Sequence, residues 1–183
     1  MKLAVLIALF VTVLALSAFA TDWVISPING HHYLAIDTLS WTDGESQAVA
    51  LGGHLATIRN ETENEWAKTS FGQFDFMWIG LHEFNFPQNP RTWVWASGEQ
   101  VAYTNWAEGE PSGPFGEPFV AMEGHNDYFQ LHYGEWCDLS SQWEPGKRIH
   151  IGLVEVIPVP EPSSLLALAG GLMPLALLHR RKH

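Results

Sequence analysis

Apolar positions along the chain change period several times, and each change marks an element. "HHYLAI" sets Tyr33, Leu34 and Ile36 in a β-compatible run, which predicts a short strand. In "SWTDGESQAVALGG", Trp41, Ala48 and Leu51 recur near the helical period. Ser40 is the expected N-cap, Asp43 follows in capping-box spacing, and Gly52-Gly53 marks the stop. "HLATI" then reads as extended. "NETENEWAKTSFG" predicts a second helix capped by Asn60, with Glu63 as its partner and Gly72 as its stop. Glu61 and Glu65 favour the positive N-terminal end of that helix.

"FMWIGL" is a compact apolar strand, and after it the periodicity lapses. Residues 82–118 carry prolines, asparagines, glycines and short aromatic pieces such as "TWVWASG". A stretch of that length with little regular structure is uncommon and often functional. "PFVAM", "YFQLHYGEW" and "IHIGLVEVI" predict three late strands. One strand, two helices, then several strands around a long loop make an α+β chain rather than a βαβ repeat.

The two ends have a different texture. "MKLAVLIALFVTVLALSAFA" joins a charged Lys2, an apolar run and the small-x-small site Ala18-Phe19-Ala20, which predicts a signal peptide over residues 1–20. At the other end Pro160, Glu161 and Pro162 precede the apolar stretch Leu165–Leu178 and the basic cluster Arg180, Arg181 and Lys182. At about 1.5 Å per residue that stretch gives about 21 Å of helix, short of a bilayer core of roughly 30 Å. A short apolar helix stopped by cations suits a temporary membrane stop with the cations in the cytoplasm. The tripartite tail resembles the PEP-CTERM sorting signal of Gram-negative bacteria. The resemblance implies transient anchoring through the C-terminal helix, cleavage near the triplet by an exosortase, and delivery to the envelope or extracellular matrix. The expected division is a signal peptide at 1–20, one domain at 21–158 and a sorting tail at 159–183.

Charge narrows the partners. Setting aside Lys2, Glu161, Arg180, Arg181 and Lys182 leaves 19 acids against 5 bases. Such a domain repels the phosphates of nucleic acid and is compatible with binding divalent cations. The lone Cys137 leaves no internal disulfide and is either free or paired between chains. Nine tryptophans supply a large core and potential stacking platforms. The nine histidines show no i, i+4 pair with a glutamate of the kind zinc enzymes use, and His125 and His132 lie seven apart. No Gly-x-Ser-x-Gly elbow or phosphate-cradling loop points to an enzyme.

Five motifs in order, "GGHLATI", "WIGL", "NWAEGEPSG", "GEWCDL" and "LVEV", make the domain similar to a C-type lectin-like domain. The resemblance implies a double-looped α+β fold: terminal strands paired, two flanking helices, antiparallel strands and a long ligand-binding loop. It also implies a calcium ion that coordinates sugar hydroxyls, with Glu110, Ser112, Glu117 and Asp138 at the metal positions and Pro111 in the cis form. Glu110, Ser112, Glu117, Trp136 and Asp138 are then the expected carbohydrate-binding residues. Three departures qualify this set. Ser112 stands where the family has Asn or Asp, Cys137 stands where it has Asn, and the family's disulfide positions fall at Phe119, Ser141 and near Val154. Calcium prefers carboxylate and carbonyl oxygens, so a hydroxyl and a thiol both weaken the site. Three readings follow: calcium-dependent binding of saccharide, binding of saccharide or protein without that calcium, and a structural component of a matrix.

Overall fold

Both helices begin at the residues whose side chains can cap them. In the computed structural model, which describes residues 23–85, 90–112, 116–124, 133–140 and 151–159, α1 is Trp41–Ala50 and α2 is Glu61–Phe71. Ser40 Oγ accepts the Asp43 N–H at 3.1 Å, and Asn60 Oδ1 accepts the Glu63 N–H at 2.9 Å. The return contact lands one residue further back than a capping box predicts. Asp43 Oδ2 accepts from Leu39 N–H at 3.1 Å, and Glu63 Oε2 from Arg59 N–H at 2.8 Å. Each helix start is therefore tied to the chain that enters it.

The strands are β1 (Val24–Ile25), β2 (His32–Asp37), β3 (His54–Leu55), β4 (Phe76–Glu83), β5 (Trp93–Trp95), β6 (Phe119–Glu123), β7 (Trp136–Leu139) and β8 (Ile151–Val156). They form one sheet in the order β1-β2-β8-β4-β6-β7, with β3 beside β8 and β5 beside β4. All pairs are antiparallel except β4 with β8, where Met77 faces Ile151 in a parallel register. The first and last long strands pair from His32↔Val156 to Asp37↔Ile151, so the terminal strands close the domain as the resemblance implies. Buried Glu155 reinforces that closure: its carboxylate accepts from Tyr33 OH at 2.9 Å, Thr57 N–H at 2.9 Å and Arg59 Nη1 at 2.8 Å.

β4 sits at the centre and is buried on both faces, which explains why "FMWIGL" is apolar without alternation. Its glycine has a steric cause: a Cβ on Gly80 would stand 2.4 Å from the Leu55 carbonyl oxygen. One core cluster joins Tyr33, Phe71, Met77, Ile79, Trp95, Val120, Met122, Trp136 and Leu153. A second joins Trp41, Leu55, Phe76, Trp78, Cys137 and Leu139, with Phe119 packed against it.

The structure refines several expectations. β4 runs on to Glu83, and β5 lies inside the stretch expected to be irregular. The short β1 was not anticipated. Most of "YFQLHYGEW" lies outside the described residues, and the strand there begins only at Trp136. The signal peptide, the sorting tail with Pro160, Glu161 and Pro162, Ser141, His125 and His132 also lie outside them. Among the described residues, no helix is long and apolar enough to cross a membrane.

Two positions at or near which the resemblance implies disulfide cysteines are packed in or against the core: Phe119 stacks on Trp41 at 4.7 Å with the rings 24° apart, and Val154 is fully buried. Cys137 is itself buried, which places it in the core rather than at a surface where chains could pair through it.

Candidate functional site

The loop that carries "NWAEGEPSG" is fixed to β7 before it reaches its polar residues. The Trp136 N–H donates to the Asn105 carbonyl at 2.8 Å, and the Ala107 N–H donates to the Trp136 carbonyl at 3.0 Å. From that anchor the chain turns: the Glu110 N–H bonds to the Ala107 carbonyl at 3.0 Å, and Gly109 takes φ +86°, a conformation open to glycine. The Glu110–Pro111 bond is cis, as the resemblance implies.

The turn delivers one amide into a carboxylate pair. The Ser112 N–H donates to Glu110 Oε2 at 2.8 Å and to Asp138 Oδ1 at 2.7 Å. Ser112 Oγ reaches Glu117 Oε2 at 3.4 Å. The four acidic and hydroxyl residues singled out in the sequence thus meet where the loop crosses β7. Glu110, Ser112 and Glu117 are half-buried and Asp138 is buried. Burial, and then the neighbouring Asp138 carboxyl, push Glu110 up to about 7.

A fifth residue, not anticipated from the sequence, organises the cluster. Arg91 enters from the chain just before β5, its guanidinium 4.6 Å above the Trp93 ring. Nη1 lies 2.6 Å from Asp138 Oδ2 and donates to the Ser112 carbonyl at 3.0 Å. Nη2 donates to the Glu117 carbonyl at 2.8 Å, and Nε donates to Glu83 Oε2 at 3.0 Å. Asp138 Oδ2 has no hydrogen bond of good geometry, so the charge of Arg91 is what offsets it. The side chains of Glu83 and Asp138 are 3% and 0% exposed, and two such buried carboxylates require a counter-charge. Charge balance was the available signal: a domain with five cations in all places one of them in its long acidic loop.

The set does not fit a calcium ion. Calcium needs about six to eight oxygens around a common centre. Here the Ser112 N–H and the Arg91 guanidinium, both donors, occupy the space between those oxygens. Ser112 turns its hydroxyl to Glu117, and the Cys137 thiol is packed in the second core cluster. Among the described residues no three acidic, histidine or cysteine side chains converge on a metal position.

Trp136 departs from its expected role. It is fully buried, its Nε1 donates to Asn64 Oδ1 at 2.9 Å, and Trp95, Tyr103 and Trp106 pack edge-on around it. A ring enclosed in this way supports the loop from beneath and offers no face to a sugar.

The comparisons with known proteins agree with this fold. The family model for the lectin C-type domain matches residues 37–128. The chain is similar to mouse "C-type mannose receptor 2", 35% identical over 83 residues, covering 45% of this chain and 5% of the receptor. It therefore spans only a small fraction of that receptor. Among solved structures, it resembles the cow carbohydrate-recognition domain of CD23, crystallised in the presence of a GlcNAc2Man3 oligosaccharide. That match has a TM-score of 0.60 and 21% identity, covering 75% of this chain and 94% of that one. A calcium-independent type II antifreeze protein matches with TM-score 0.60 and 20% identity, covering 75% of this chain and 92% of that one.

Proposed function

The chain belongs to the C-type lectin domain family, and from that premise we propose that it binds saccharide through the rim formed by Glu110, Ser112 and Glu117. The carrying observation is the convergence of these residues with Asp138 where the loop crosses β7. Half-buried carboxylates and a hydroxyl are suited to accept hydrogen bonds from sugar hydroxyls, and charge-assisted bonds of this kind are the stronger ones. Asp138 and Trp136 act from beneath, holding the loop rather than meeting the ligand. The relatives support saccharide as the ligand class: one is named as a mannose receptor, and another was crystallised in the presence of an oligosaccharide.

A glycan array probed with the protein in excess chelator tests this reading. Retention of a subset of glycans is expected, with loss of that signal in Glu110→Gln/Glu117→Gln. Absence of glycan binding in both calcium and chelator would overturn it and leave the structural-matrix reading.

Export is the second part of the proposal. The N-terminal apolar run ending at Ala20, and the tail of Pro160–Pro162, apolar stretch and basic cluster, support secretion and exosortase sorting to the envelope or matrix of a Gram-negative bacterium. A matrix polysaccharide is then the natural partner. Mass spectrometry of the exported form is expected to find an N-terminus at Thr21 and a C-terminus near Pro162. An exported chain that keeps both ends would contradict it.

A further inference from the structure

We infer that Arg91 is the resident cation of this site, taking the place that calcium holds in the family and making the loop's ligand-ready form independent of any divalent ion. The inference rests on the loop being the saccharide site, and it deepens that reading.

Its basis is the set of atoms around the guanidinium. Two carboxylates, Glu83 and Asp138, and two backbone carbonyls, Ser112 and Glu117, face it from four separate places in the chain. Carboxylate and carbonyl oxygens are what a hard cation collects. Here they are spread around a planar fork whose N–H groups bond Glu83 and the Ser112 and Glu117 carbonyls while its charge meets Asp138 at 2.6 Å. The guanidinium supplies positive charge to two buried carboxylates and at the same time pins the loop at residues 112 and 117. A calcium ion would have to displace a tethered, always-charged group that is only 16% exposed and packed over Trp93. Arg91 is a positioning residue: its N–H groups are directed to protein oxygens, and it acts on ligand through the loop it holds.

Three observations point the same way. Ser112 and Cys137 stand where amide ligands are expected; the Ser112 hydroxyl is engaged with Glu117 and the Cys137 thiol is packed in the core. The Ser112 N–H already bridges Glu110 and Asp138. Arg91 lies outside the motif residues that carry the family's calcium, so its role follows from its contacts alone.

The test is the melting temperature of the protein and of Arg91→Gln, each in millimolar calcium and in excess chelator. A ligand that binds only the native state raises Tm. The wild type is expected to melt identically in the two conditions. Arg91→Gln is expected to melt lower than wild type in chelator and to regain part of the loss in calcium, because the vacated oxygens can then take the ion. A purely structural arginine would give the loss without the calcium response. A wild-type Tm raised by calcium, or an Arg91→Gln Tm unmoved by it, overturns the inference. Should Arg91→Gln not fold, Arg91→Lys keeps a charge but cannot span four oxygens. It is expected to melt below wild type in chelator, and equality with wild type overturns the inference. Hydrogen exchange at the Ser112 amide gives an independent reading on the wild type: equal protection with and without calcium is expected, and protection only with calcium overturns it. Saccharide binding lost in chelator would refute this inference while sparing the proposed function. Calcium-insensitive melting with no saccharide binding at all would do the reverse.

Discussion

Arg91 and Asp138, 47 positions apart in the sequence, meet at 2.6 Å between Nη1 and Oδ2, with the Asp138 side chain fully buried. Removing Arg91 leaves the buried Asp138 and Glu83 carboxylates without their counter-charge, and a broken buried pair costs about 3–5 kcal/mol. Arg91→Gln is expected to destabilise by that order, read from the denaturant midpoint at unchanged slope. A double-mutant cycle of Arg91→Gln with Asp138→Asn is expected to give a coupling energy of about 0.5–3 kcal/mol. Simple additivity would show that the contact carries no net interaction.

Glu110 sets a pH dependence. Its folded value is raised from 4.5 to about 7 by burial and then by the Asp138 carboxyl beside it. Between those two values the native state holds a proton that the unfolded chain has released. Stability from this group therefore falls as pH rises through that window and levels off above about 7. Glu110→Gln is expected to flatten the Tm-against-pH curve in that window. A curve of unchanged slope would show that Glu110 does not hold the proton.

Asn64 is a buried polar clamp. Its Oδ1 accepts from Trp136 Nε1 at 2.9 Å, and its Nδ2 donates to the Gly134 carbonyl at 3.0 Å. Asn64→Leu strands Trp136 Nε1, while the Gly134 carbonyl keeps the Asn105 Nδ2 donor at 2.8 Å, and one unsatisfied buried group costs about 1–3 kcal/mol. Chemical denaturation is expected to show that loss, and a neutral result would mean that the Trp136 N–H finds another partner.

Cys137 is expected to be chemically silent in the native state. It is 3% exposed, and burial, with Glu110, Asp138 and other acids nearby, raises the thiol well above its ordinary range. Only the thiolate reacts. Alkylating reagent is expected to label it after denaturation and not before, with a single monomer band on a non-reducing gel. Rapid labelling of the folded protein or a disulfide dimer would contradict its burial.

The caps and the apolar strand "FMWIGL" were legible because each depends on local chemistry or period, with Ser40 and Asn60 at helix starts and unbroken apolar character in the strand; the pairing of the terminal strands came from the family resemblance alone. The chain order of the site was legible too, since Glu110, Ser112, Glu117 and Asp138 fall in recognisable motifs and do converge. Arg91 was not, because a guanidinium recruited from the chain before β5 leaves no periodic trace. Only the tertiary approach of that segment to β7 reveals its partners. The resemblance places Trp136 among the carbohydrate-binding residues, and sequence alone does not separate that role from core packing, because an aromatic beside a loop gives the same signal whether its ring faces solvent or core. Its three ring neighbours and Asn64 decide the matter.

The most direct measurement is a calorimetric titration of an array-selected saccharide into the wild-type protein, once in millimolar calcium and once in excess chelator. With Arg91 as the resident cation, the two dissociation constants are expected to agree within about twofold, a difference well below the roughly 1.4 kcal/mol of a tenfold change. Binding that appears in calcium and vanishes in chelator would contradict the assignment of Arg91 and return the cation's role to a divalent ion.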